Sequence, residues 1–112
     1  MKRLRQWWNR WLVFTGQRLP SYSYQYVSDF PDARQVHTVY LLGKPGREWL
    51  VGFLCPCNCG QFIELSLLPT TKPRWKLAVH ANEDTVSLRP SVWRTVGCRS
   101  HFFLTNGLIK WC

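Results

Sequence analysis

From Gln35 to the C-terminus, apolar residues recur with the period of two that a half-buried strand imposes, so this stretch reads as β. Gln35 to Leu42 is one expected strand, and Gly43-Lys44-Pro45-Gly46 turns the chain into a second from Glu48 to Leu54. Phe62 to Leu68 follows, with Phe62, Glu64, Ser66 and Leu68 on one face and Ile63, Leu65 and Leu67 on the other. After a loop from Pro69 to Pro73, Trp75 to His80 and Thr85 to Leu88 flank Ala81-Asn82-Glu83-Asp84 as a hairpin. Arg89-Pro90 should close that strand, Ser91 should cap a short helical turn through Val96, and Gly97-Cys98 should open a last hairpin. Upstream, residues 17 to 34 read as loop, except that Tyr22, Tyr24 and Tyr26 alternate as a short strand. The period changes in the first fourteen residues. Leu4, Trp7, Trp8, Trp11 and Leu12 fall on one helical stripe, and Arg3, Arg5, Asn9 and Arg10 take the rest of the wheel. Thr15-Gly16 ends that helix.

The last hairpin can be registered by counting. Asn106-Gly107 is the strongest two-residue turn signal and has apolar runs on both sides. A two-residue loop pairs Thr105 with Leu108, Leu104 with Ile109, Phe103 with Lys110, Phe102 with Trp111 and His101 with Cys112. This register should bring the His101 imidazole to the Cys112 thiol, with Cys98 bending back to the same point.

Cysteine spacing then suggests what these groups do. Cys55, Cys57 and Cys59 lie in a Cys-Pro-Cys-Asn-Cys-Gly run whose Pro56, Asn58 and Gly60 let the backbone curl around an ion. Cys98-Arg-Ser-His101 has the spacing of a second knuckle. The expected metal ligands are four of Cys55, Cys57, Cys59, Cys98 and Cys112, or His101 in place of one, around a structural Zn2+. Disulfides fit less well with an odd cysteine count and no visible secretion signal, and a thiol left off the metal beside a histidine would suit nucleophilic chemistry.

Composition adds a basic, aromatic-rich character. The chain has 112 residues, seven Trp, six Phe and four Tyr, enough aromatic area for much of a small core. Its net charge is +9, and Lys2, Arg3, Arg5, Arg10 and Arg18 supply five of those charges within a first twenty residues that contain no acid. The expected organisation is a basic, Trp-rich helix or tail over residues 1–20 and one zinc-stapled domain over 21–112. The fold class is mainly β (α+β): a small antiparallel β domain with an N-terminal amphipathic helix. The tail could meet an anionic surface, a membrane face or an acidic partner. Nucleic-acid binding has only charge in its favour, since no spacing matches a base-reading finger. No apolar run approaches the ~20 residues of a transmembrane helix. With no signal peptide expected either, the thiols point to a reducing cytoplasm.

From Leu54 onward the motifs are dense. Leu54-Cys-Pro-Cys-Asn-Cys-Gly60, Ile63 to Pro69, Pro73-Arg74-Trp75, Thr85 to Trp93, Gly97 to Phe102 and Gly107 to Cys112 together resemble a bacterial and phage family. That family is catalogued as a domain of unknown function, number 6527, and the resemblance covers about half of the chain. It implies a place beside bacterial ubiquitin-like conjugation, with a ubiquitin-like protein or its conjugation enzymes as partners. The function expected is an accessory protein of such a pathway, acting as a peptidase that trims or removes ubiquitin-like tails. The alternative is a non-enzymatic, zinc-stabilised protein-binding module. For a peptidase the candidate base is His101 and the candidate nucleophiles are Ser91, Ser100 or a spare cysteine, with Glu64 available to orient the base. Whether His101 binds metal separates the two readings.

Overall fold

A computed structural model describes residues 21–95 and 97–112. The helix expected over residues 1–14, like the tail to residue 20, lies outside the described residues. Among these described residues eight strands form two sheets: β1 (Ser23–Val27), β2 (Thr38–Lys44), β3 (Arg47–Leu54), β4 (Phe62–Ser66), β5 (Lys76–His80), β6 (Thr85–Trp93), β7 (His101–Thr105) and β8 (Leu108–Trp111). The first sheet has the order β1-β2-β3-β4 and the second β5-β6-β7-β8. All pairs are antiparallel except β1 with β2, which run parallel.

The alternation read from the sequence decides which faces meet. Val39, Leu41, Val51, Phe53, Ile63 and Leu65 of the first sheet pack with Val86, Leu88, Val92, Phe102 and Leu104 of the second in one buried cluster. Phe53 and Phe102 meet edge to face at 6.2 Å across the two sheets. Ile63, Leu65 and Leu67 are the buried face of the β4 segment, as their spacing predicts. A smaller aromatic cluster covers the outer side of the first sheet, where Phe62 lies against Phe30 and Tyr40 and under the Arg34 guanidinium.

The closing hairpin follows its expected register from Thr105↔Leu108 to Phe102↔Trp111. Asn106 and Gly107 both have positive φ, 50° and 76°, as a type I′ turn requires. Gly107 is also crowded: its carbonyl accepts from Tyr22 N–H at 2.6 Å and its N–H donates to Val86 at 2.8 Å. A Cβ there would meet the Thr85 side chain and Tyr22 backbone, so glycine serves the turn and the docking of the chain before β1.

Several expectations need correcting. Arg89-Pro90 does not end its strand, and Ser91 does not cap a helical turn. β6 continues to Trp93, and Arg89, Pro90 and Ser91 together stand opposite Phe103, because the register passes from Leu88↔Leu104 to Val92↔Phe102. A bulge tolerates a proline that has no N–H to offer the ladder. The strand expected from Gln35 begins at Thr38 instead, and the Gln35 N–H donates to the Tyr40 hydroxyl at 2.8 Å. Cys98 lies in a loop, so the last hairpin opens at His101.

Gly52 provides a test of the outer aromatic cluster. A Cβ at this position would stand 2.5 Å from the Phe62 ring and 2.7 Å from Phe30. Gly52→Val should therefore lower unfolding stability by about 1–3 kcal/mol in urea denaturation.

Candidate active site and metal centre

Two loops, one from each sheet, bring the cysteines together. The run after β3 turns on an Asn58 N–H to Cys55 C=O bond of 3.1 Å, and Cys55 N–H donates to Gln61 at 2.8 Å. Asn58 and Gly60 adopt positive φ of 72° and 82°, the left-handed geometry their residue types allow. The loop before β7 curls in the same way through Gly97 and Arg99, at φ 72° and 56°. The Sγ atoms of Cys55, Cys57, Cys59 and Cys98 all lie within 4.8 Å of one another. Cys55 is 3.3 Å from Cys57 and 3.5 Å from Cys98, sulfur to sulfur. A Zn–S bond of ~2.3 Å sets tetrahedral edges of about 3.8 Å, so this donor set fits one zinc ion.

The electrostatics fit too. Burial pushes the Cys55 thiol up to about 12. The Ser100 hydroxyl, 3.2 Å from the Cys98 sulfur, favours thiolate and draws Cys98 down to about 6. The same hydroxyl lowers Cys57. Thiolates gathered beside a buried thiol need a cation to compensate them.

Cys112 and His101 stand outside this sulfur cluster. They face each other across β7 and β8, with Cys112 N–H donating to His101 C=O at 2.9 Å, so the counted register holds. Strand alternation separates them from the metal position: Ser100, Phe102 and Leu104 are buried, while His101 and Phe103 take the other face. Ser100, a candidate nucleophile, sits inside against the sulfurs, 3.8 Å from Cys55 as well as near Cys98.

On the outer face of the second sheet, Ser91 Oγ lies 2.9 Å from His101 Nε2. Trp93 stands opposite His101, and the two rings stack at 5.3 Å with planes 21° apart. The Ser91 carbonyl accepts from Trp75 Nε1–H at 3.3 Å, which ties the bulge to the loop before β5. Among the described residues no hydrogen bond joins Glu64 to His101. Glu64 lies on β4 in the other sheet, and the residue that contacts the His101 ring is Trp93. Sequence reasoning missed this contact of Trp93. Its place opposite His101 follows from the bulge at Pro90, which the sequence alone does not reveal.

A second serine–histidine contact occurs between Ser87 Oγ and His80 Nε2 at 2.8 Å. The Asn106 N–H also donates to this oxygen, at 2.7 Å, and Ser87 is only 8% exposed. Ser87 thus clips one hairpin to the other, with the Asn106 N–H occupying one of its lone pairs and burial covering the rest of the hydroxyl. Ser91 Oγ has His101 as its one hydrogen-bond partner among the described residues and is half-buried.

Residues 26–112 match the family model of the bacterial ubiquitination-like system serine protease (BubE), and the chain belongs to that family. The ubiquitin-like setting implied by the sequence motifs is thereby supported, although the match does not bear on the family number given above. No curated protein and no solved structure matches the chain. Among the described residues no helix is long and apolar enough to cross a membrane.

Two measurements address the metal centre. Cys55→Ser and Cys98→Ser should lose stoichiometric zinc in elemental analysis, whereas Cys112→Ser and His101→Ala should keep it. Zinc loss in His101→Ala would place the imidazole on the metal. Zinc titrated into metal-free protein near pH 7 should release a proton from Cys55, whose thiol lies far above that pH. Loading should weaken as pH falls through about 6, where Cys98 becomes protonated and proton competes with metal. Calorimetry in buffers of different ionisation enthalpy measures both effects.

Proposed function

We propose that the chain is a serine peptidase of a bacterial ubiquitin-like pathway, with Ser91 as nucleophile and His101 as general base. The 2.9 Å contact between Ser91 Oγ and His101 Nε2 carries this reading, taken with the family's description as serine proteases. The chemistry needs a hydroxyl within hydrogen-bond reach of a base that can accept its proton. As Ser91 Oγ bonds to the scissile carbonyl carbon, its proton passes to His101 Nε2. Collapse of the tetrahedral intermediate breaks the C–N bond, and His101 returns the proton to the leaving amine. Water, deprotonated by the same imidazole, then hydrolyses the acyl-enzyme and regenerates Ser91. Trp93 limits the tilt of the ring through its stacking, and the backbone bond from Cys112 holds β7 from the other side.

The metal in this reading is structural. Cys55, Cys57, Cys59 and Cys98 would fill all four positions of a closed zinc site, which leaves none for substrate. When bound, the ion supplies a cross-link between the two loops. Cys98 precedes His101 by three residues, so that cross-link fixes where β7 begins and hence where the imidazole stands. The substrate proposed is the tail of a ubiquitin-like protein, either trimmed or released from a conjugate. Five free thiols, four of them gathered as ligands, favour a reducing cytoplasm.

The test is cleavage of a ubiquitin-like fusion protein. Ser91→Ala and His101→Ala should each lower kcat/KM by about 10³-fold or more, as loss of a nucleophile or its base does elsewhere. Ser100→Ala and Ser87→Ala should retain cleavage, apart from any loss of folded protein. A fluorophosphonate should label Ser91 in the wild type. Full activity in Ser91→Ala would overturn the assignment, and tight binding of the fusion without cleavage would favour the protein-binding module.

A further inference from the structure

Among the described residues β4 is the outermost strand of its sheet, and one of its edges has no strand beside it. The ladder with β3 shows which groups point that way. Gln61 C=O accepts from Cys55 N–H, and Leu67 N–H donates to Trp49 C=O, so the odd-numbered residues face β3. The backbone groups of Phe62, Glu64 and Ser66 therefore point outward. The Ser66 carbonyl is taken by Trp75 N–H at 2.9 Å. Phe62 and Glu64 have no backbone partner on that side among the described residues.

This edge borders a groove of about 290 Å3 that reaches across to the second sheet, lined by Ile63, Leu65, Trp75, Val92, Trp93 and Arg94 among others. Its lining is partly apolar and partly polar, and Arg94 and Glu64 are the charged residues that border it. Arg94 Nη2 donates to the Gln61 side chain, but Nη1 is buried and has no hydrogen-bond partner among the described residues. A buried guanidinium N–H left without an acceptor costs free energy that a ligand's carboxylate would recover. Trp93 borders this groove and also stacks on His101, so the two places share one residue.

We propose that this groove binds an extended peptide segment by β-strand addition to β4. The Phe62 and Glu64 backbone would pair with the peptide, and Arg94 would hold the side-chain carboxylate of one Asp or Glu in it. Main-chain pairing to an exposed edge gives affinity without sequence, and the fixed cation supplies the specificity. The net charge of +9 favours an acidic segment in the same sense. As the substrate subsite of the peptidase this inference rests on the reading above. As a peptide-binding groove it can be tested separately.

The probe is a positional-scanning library of acetylated, amidated heptapeptides selected on zinc-loaded full-length protein carrying Ser91→Ala, which prevents turnover. Asp or Glu should be enriched at one position, and Pro should be depleted at alternate positions, where the peptide must donate N–H to β4. Adding Arg94→Gln should cut the acidic preference about tenfold and leave the proline pattern in place. In NMR spectra the selected peptide should shift the amide protons of Phe62 and Glu64 and slow their exchange. No selection, proline tolerated throughout, an acidic preference that survives Arg94→Gln, or unmoved amides would each overturn the proposal. If wild-type protein cleaves the ubiquitin-like fusion while these results fail, the groove is wrong and the peptidase stands. If the peptides bind as described but the fusion is not cleaved, the groove stands and the peptidase falls.

Discussion

The cluster of four cysteine sulfurs is the constraint on which the rest depends. Cys55, Cys57 and Cys59 belong to the loop that joins β3 to β4 in one sheet, and Cys98 to the loop that joins β6 to β7 in the other. Between the sheets lies a small core of aliphatic residues and two facing phenylalanines, with the buried margin expected of a chain this short. An ion held by both loops would add a bond between the sheets that the unfolded chain lacks. At the other end of β7, Tyr22 and Gly107 make the second clasp through backbone hydrogen bonds. β7 is thus held at both of its ends, and it is the strand that carries His101.

That placement sets the Ser91–His101 contact on the outer face of the second sheet. β7 is flanked by β6 and β8, so the His101 backbone has neighbours on both sides. Ser91 comes from a bulge in β6, a local irregularity of the kind that re-aims a side chain without dissolving the sheet. Ser100 and His101, adjacent in sequence, divide between the two faces. The first hydrogen-bonds the sulfurs and the second contacts Ser91. A change at the metal therefore reaches the imidazole through two residues of backbone, with no shared ligand required.

How much of this was legible depended on whether the contact was local. The Asn106-Gly107 turn fixes its own register, so the pairing of Phe102 with Trp111 could be counted in advance. The two knuckles were legible because turn residues and thiols alternate within six positions. Choosing four ligands from six candidates needed one further step. Phe102 and Leu104 must face the core, so His101 must face away from it, and that alternation separates the imidazole from the sulfur cluster. Pro90 misled for a different reason. Proline usually ends a strand, but here two extra residues in β6 absorb it, and Ser91 became a strand residue instead of a helix cap. The Arg94 contact with Gln61 spans 33 residues and two sheets, and no local pattern encodes it.

The central claim is that the metal cluster sets the geometry in which Ser91 meets His101. Its most direct measurement is the rate at which a fluorophosphonate labels Ser91 in zinc-loaded protein and in protein stripped by a chelator, with folding followed by circular dichroism. The account predicts that labelling falls at least tenfold on removal of zinc, returns when zinc is restored, and is absent from His101→Ala at either metal level. Equal labelling of folded protein with and without zinc would contradict it.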